Sequence, residues 1–139
     1  MRKMAEFALK IVTPDGLRYE GTAEKLVVRT TAGDVAILPG HIHYVAPLGM
    51  GESVVTAAGK KRYGACIGGM VSVANGNVTL VPASFEWAED IDLERARRSQ
   101  ERAEATLGNA DTTDTERKLA DARLKRARIR QHVARHKPK

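Results

Sequence analysis

Cysteine is almost missing: Cys66 stands alone, which excludes an internal disulfide framework and a multi-cysteine zinc site and suits a reducing compartment. Aromatic residues are scarce at 4%, so a core has to be built from Val, Ile, Leu and Ala. No stretch approaches the roughly 20 apolar residues of a membrane-spanning helix. The basic start Met1-Arg2-Lys3-Met4-Ala5-Glu6 is not followed by the apolar run of a secretory leader. Together these absences point to a soluble, cytoplasmic chain. What remains is 42% hydrophobic and 29% charged, the balance of a globular protein rather than a disordered one. A length of 139 residues suits one domain, or a small domain with an appendage.

The net charge of +6 is unevenly spread. Residues 1–90 carry nine Lys/Arg and nine Asp/Glu, whereas residues 91–139 carry fourteen basic and eight acidic residues. Within 117–139, ten basic residues face Asp121 alone, and all six aromatics lie before residue 88. The chain therefore divides into two segments of different physics, 1–88 and 89–139.

The front segment reads as strands. Phe7-Ala8-Leu9-Lys10-Ile11-Val12 runs into Thr13-Pro14-Asp15-Gly16, where Pro presets a turn and Gly tolerates positive φ. Lys25–Thr30, Val35–Leu38 and Ser53–Thr56 follow, each stopped by a Gly- or Pro-bearing turn. In Val71-Ser72-Val73-Ala74-Asn75-Gly76-Asn77-Val78-Thr79-Leu80-Val81, Asn75-Gly76 separates two strand-like runs, the composition of a tight hairpin. Short strands, frequent turns and no helical period predict an antiparallel β-sandwich or barrel.

The back segment reads as two helices. Asp90 or Asp92 caps the first, on which Leu93, Ala96, Ala103 and Leu107 share a face; Gly108-Asn109-Ala110-Asp111 stops it. Thr112, Thr113 or Asp114 caps the second, whose apolar stripe is expected to be Leu119, Ala122, Ile129 and Val133. An antiparallel hairpin with thin, Ala-rich packing results. On this reading Arg126 and Arg130 fall on the apolar stripe, while Arg95 and Arg102 share a face of the first helix with Arg98 nearby. An unpaired buried charge is costly. These arginines therefore either fork onto a polyphosphate, the geometry guanidinium handles best, or reach water or Glu94, Glu101 and Glu104.

No catalytic constellation stands out. His41 and His43 flank Ile42 in a loop and suit a surface contact; His132 and His136 lack a third metal ligand. Cys66 sits in an apolar strand and reads as core. Gly49-Met50-Gly51 and Gly68-Gly69 are turns rather than a phosphate loop, since no Lys-Ser/Thr follows. Two binding classes remain: a basic helix for nucleic acid, or for an acidic protein surface. The helical part has no aromatic stacking platform, which counts against single-strand binding.

Taken in order, several motifs resemble the epsilon subunit of F-type ATP synthase. They are Ile11-Val12-Thr13-Pro14-Asp15-Gly16, Tyr19-Glu20-Gly21 with Ala23-Glu24, and Gly33-Asp34-Val35-Ala36-Ile37-Leu38-Pro39-Gly40-His41. Gly68-Gly69 before Val71-Ser72-Val73 follows, and then Ala88-Glu89-Asp90-Ile91-Asp92-Leu93-Glu94-Arg95-Ala96. Ala36 departs from the Gly usual there. The resemblance covers essentially the whole chain and implies an α+β protein, an N-terminal antiparallel β-sandwich followed by a two-helix hairpin.

It further implies a noncatalytic rotor subunit at the cytoplasmic face of a bacterial plasma membrane. The sandwich is expected to bind the gamma subunit and the c-ring, with Asp34 and His41 in the loop facing the ring. The hairpin is expected to extend toward the alpha and beta catalytic subunits and block ATP hydrolysis; nucleic acid and metal are not expected. In some bacterial members ATP stabilises the folded hairpin. The matching positions here are Glu86, Ile91, Asp92, Arg95, Ala96, Arg102, Arg126 and Arg130, with Asp92 also a natural helix cap and the Ile91 backbone a reader of the base edge.

Overall fold

The structure, a computed structural model, describes residues 5–40 and 43–137. It contains two compact units, one ending at Trp87 and one beginning at Ala88.

The first unit is a sandwich of ten strands. They are β1 (Phe7–Thr13), β2 (Gly16–Ala23), β3 (Lys25–Thr30), β4 (Gly33–Ile37), β5 (Tyr44–Pro47), β6 (Met50–Ala57), β7 (Lys60–Ile67), β8 (Met70–Ala74), β9 (Asn77–Val81) and β10 (Ser84–Trp87). One sheet has the order β2-β1-β9-β8-β5 and the other β10-β7-β6-β3-β4. Every pairing is antiparallel except one: β1 lies parallel to β9, Leu9 opposite Val78 and Ile11 opposite Leu80.

Alternation builds the core. In β1 the side chains of Phe7, Leu9, Ile11 and Thr13 are buried while Ala8 and Lys10 are exposed, and β3 and β8 repeat the pattern. Successive side chains of a strand leave opposite faces, so every second apolar residue reaches the sandwich interior. Leu9, Ile11, Val71, Val78 and Leu80 meet Leu26, Val28, Ile37, Val55 and Phe85 there. The expected Asn75-Gly76 hairpin joins β8 to β9, with both residues at positive φ (53° and 77°), the backbone a two-residue turn of this hand requires.

The last strand is held by aromatic contacts. Trp87 meets Phe85 edge-on at 4.9 Å between ring centroids, Arg62 lies over the indole at 3.8 Å, and the indole N–H donates to the Arg18 carbonyl at 3.0 Å.

In the second unit a single 3-10 turn (Ala88–Asp90) precedes α1 (Leu93–Leu107) and α2 (Asp114–Ala134), an antiparallel pair. Asp92 caps α1 by accepting from the Arg95 N–H at 3.1 Å, and Thr113 caps α2 by accepting from the Glu116 N–H at 3.1 Å. Among the described residues, no helix is long and apolar enough to cross a membrane.

The seam between the helices differs from the one expected. Ala96 and Ala103 of α1 face Ala120, Leu124, Ala127 and Ala134 of α2; of the expected stripe Val133 is buried as read, whereas Leu119 is 62% exposed and Ala122 and Ile129 are only half-buried. At about 100° per residue, the buried stripe of α2 is turned by roughly 140° from the Leu119–Val133 line. Small side chains let the two backbones approach, so the helices meet along alanines instead of along the bulkier residues.

Candidate functional site

The corrected seam changes where the four arginines lie. Arg126 and Arg130 do not sit on the stripe between the helices; they are half-buried beside it. By helical geometry they lie about 80–120° to one side of the Ala120–Leu124–Ala127 line, and Arg95 and Arg102 lie about 100–120° to one side of Ala96 and Ala103. Because the helices are antiparallel, these two offsets turn the same way, and all four guanidinium groups share one flank of the hairpin.

Polar contacts fix the level of one helix against the other. Gln131 Nε2 donates to Gln100 Oε1, and near the loop Arg117 donates to the carbonyls of Leu107 at 3.0 Å and Asn109 at 3.4 Å. In this register Arg95 is level with Arg130, and Arg102 with Arg126.

The expected carboxylate partners are not used by three of the four. Arg95, Arg102 and Arg126 make no side-chain hydrogen bond or ion pair with the described residues, while Glu94 pairs with Arg97 at 2.8 Å and Asp121 with Lys125 at 3.2 Å. One flank thus carries paired charges and the other a concentration of guanidinium groups, the fork geometry that suits phosphate oxygens.

The remaining candidates fall in different places. Ala96 is buried in the seam, and Asp92 is exposed and engaged as the α1 cap. Ile91 is buried, its N–H donates to the Ala88 carbonyl at 3.3 Å, and its carbonyl accepts from Lys137 Nζ at 3.0 Å. Glu86 belongs to the other unit, half-buried on β10. Asp34, expected in a loop, is on β4, and both its carboxylate oxygens accept from Arg29 on the neighbouring strand, at 2.7 and 3.3 Å. His41 lies outside the described residues; His43 bonds Asn75 Oδ1 at 3.2 Å.

Cys66 is core, as read. Burial pushes its thiol up to about 11, far from the range of a nucleophile at neutral pH. Among the described residues no three His, Cys, Asp or Glu side chains gather as a metal site.

Comparison with known proteins agrees with this architecture. Residues 6–88 match the family model for the ATP synthase Delta/Epsilon chain beta-sandwich domain, and residues 89–135 match that for its long alpha-helix domain. The ATP synthase epsilon chain of Ruminococcus albus is 42% identical over 135 residues, covering 96% of this chain and 100% of that one. This chain belongs to the ATP synthase epsilon family.

A second epsilon chain, from Shouchella clausii, is 40% identical over 134 residues, with 96% and 98% of the two chains covered. The fold is shared with a chain of the Euglena gracilis mitochondrial ATP synthase, at a TM-score of 0.81 and 24% identity over 98% of this chain and 85% of that one. A chain of the Tetrahymena thermophila mitochondrial ATP synthase central stalk and c-ring superposes at 0.61 with 15% identity over 96% and 98%. An epsilon chain is a non-catalytic stalk subunit of ATP synthase, which accounts for a molecule with binding surfaces and no catalytic constellation.

Two residues that sequence reading passed over hold this epsilon chain's hairpin together. Arg117 carries no sequence mark that separates it from the nine other basic residues of 117–139, and Lys137 stands beyond the end of α2.

Proposed function

We propose that this epsilon chain turns with the central stalk, its sandwich binding the gamma subunit and the c-ring, at the cytoplasmic face of a bacterial plasma membrane. Asp34 and His41 contribute to the ring contact. The hairpin is the regulatory part: opened and extended, its basic α2 approaches acidic segments of the alpha and beta subunits and blocks ATP hydrolysis.

ATP is the regulatory ligand of the folded hairpin in this reading. The observation that supports it is the shared flank of Arg95, Arg102, Arg126 and Arg130, on which the guanidinium groups of Arg95, Arg102 and Arg126 have no carboxylate partner among the described residues. Phosphate oxygens would take those forks. The Ile91 carbonyl keeps a second lone pair for a base amine, and Asp92 an exposed carboxylate.

A ligand moves a two-state equilibrium only by its differential affinity. Four arginines set on two helices face one ligand together only while those helices lie side by side, so ATP favours the folded form. The Ala-rich seam keeps the free-energy gap small enough for such a ligand to matter.

Titration of the full chain with ATP is expected to saturate and to lose saturation in Arg126→Ala; absence of binding at millimolar ATP overturns the nucleotide part. In the assembled synthase, removing residues 91–139 is expected to raise hydrolysis with assembly retained, and unchanged hydrolysis overturns the inhibitory part.

A further inference from the structure

We propose that Lys137 is a clasp that holds the open end of the hairpin shut without any ligand. Its ammonium group donates to the carbonyl of Ile91 at 3.0 Å, across 46 residues of chain. Ile91 is 1% exposed and immediately precedes the α1 cap Asp92. Its carbonyl therefore belongs to a buried residue, where an unpaired acceptor is costly and a charged donor is the strongest available partner.

The position of this bond gives it leverage. The hairpin is joined by chain at the Gly108–Thr113 end, where Arg117 adds its two carbonyl contacts. At the other end no covalent connection exists, and the Lys137–Ile91 bond ties the exit of α2 to the start of α1. Between them the seam is mostly alanine, with little apolar area per residue to resist separation. Separation at the open end breaks the clasp first, and the bond exists only in the folded form, so its whole free energy favours that form.

The clasp acts before any nucleotide binds, so it stands apart from the ATP reading. Spin labels at Glu101→Cys and Lys125→Cys, both exposed and level with one another across the helices, report hairpin opening in the full chain as a distance distribution. Cys66 does not compete for label, being buried with its thiol pushed up to about 11. The measurement is made without nucleotide in a Leu124→Ala background, which weakens the seam and brings the open form into range.

Adding Lys137→Ala is expected to raise the ratio of open to folded hairpin about tenfold or more, the order of a lost charge-assisted hydrogen bond. Lys137→Arg, which keeps a charged donor, is expected to retain most of the folded population. An unchanged distribution in Lys137→Ala, or equal opening in the Arg variant, overturns the clasp. Neither result bears on whether ATP binds, which is read separately by titration.

Discussion

The two units are built from different amounts of the same force. In the sandwich, two sheets interleave Leu, Ile, Val, Phe and Trp, and Leu9, Ile11, Leu26, Leu80 and Val71 are at most 2% exposed. In the hairpin, the residues at the seam are Ala96, Ala103, Ala120, Ala127 and Ala134, with Leu124 buried among them and Leu107 half-covered. Stabilisation scales with apolar area removed from water, so the sandwich is the more strongly packed unit, and in the hairpin individual polar bonds carry a larger share of the stability. Elements that open most readily are drawn from the low-stability end of a molecule, and here composition alone puts the hairpin there.

The sharpest way to break this contrast is a core truncation on each side. Leu80→Ala, inside the sandwich, is expected to cost about 3–4 kcal/mol, because the packed interior cannot collapse around the missing methyls. Native-state hydrogen exchange would locate the loss in the strands and leave the α1 and α2 amides unchanged. Leu124→Ala is expected to cost about 2 kcal/mol, since a seam near solvent relaxes more easily; its effect should be confined to helical amides. If either substitution loosens both units equally, they unfold as one and the contrast is lost.

A smaller effect comes from the caps. Thr113→Ala removes the acceptor for the Glu116 N–H and is expected to cost about 1 kcal/mol, seen as faster exchange in the first turn of α2. In the hairpin that is a large share of what holds the helix; in the sandwich a loss of that size would pass almost unnoticed.

The last effect, absent at neutral pH, is a pH dependence peculiar to the sandwich. The Cys66 thiol is held protonated by burial, from a usual 9.0 up to about 11. The unfolded chain ionises first, so stability is fully present below about pH 9, falls as pH rises toward 11, and then levels off. Urea midpoints across that range should decline in the native chain and decline less in Cys66→Ala. An identical slope in both would place the cause at another group.

Much of the sandwich was legible because strands with one buried face write an alternating pattern, as in Phe7–Thr13 and Lys25–Thr30, and because Asn75-Gly76 allows few other turns. The parallel β1–β9 pair was not, since pairing between distant strands depends on the path of the whole chain rather than on local residues. Strands such as β2, with exposed Arg, Glu and Thr, and β7, beginning Lys60-Lys61-Arg62, lack the alternation that marks their neighbours.

The helices were legible from caps and stop signals, but their seam was not. Leu119 and Ile129 are the bulky apolar residues, and a search for grease finds them first; close approach selected Ala120, Leu124 and Ala127 instead. Helical periodicity groups the four arginines on one flank, although their place is beside the seam and not in it, where the sequence reading put Arg126 and Arg130. Lys137 left no trace in the pattern, because its partner is a backbone carbonyl, which any residue carries.

The edge-on contact of Trp87 with Phe85 beneath Arg62 has one practical corollary. With every aromatic ring of the chain before residue 88, ultraviolet emission and near-ultraviolet dichroism arise wholly from the sandwich, while ellipticity at 222 nm comes chiefly from α1 and α2. The two halves of this subunit thus speak at separate wavelengths, and an optical bench alone can watch the helices come loose while the sandwich stays silent.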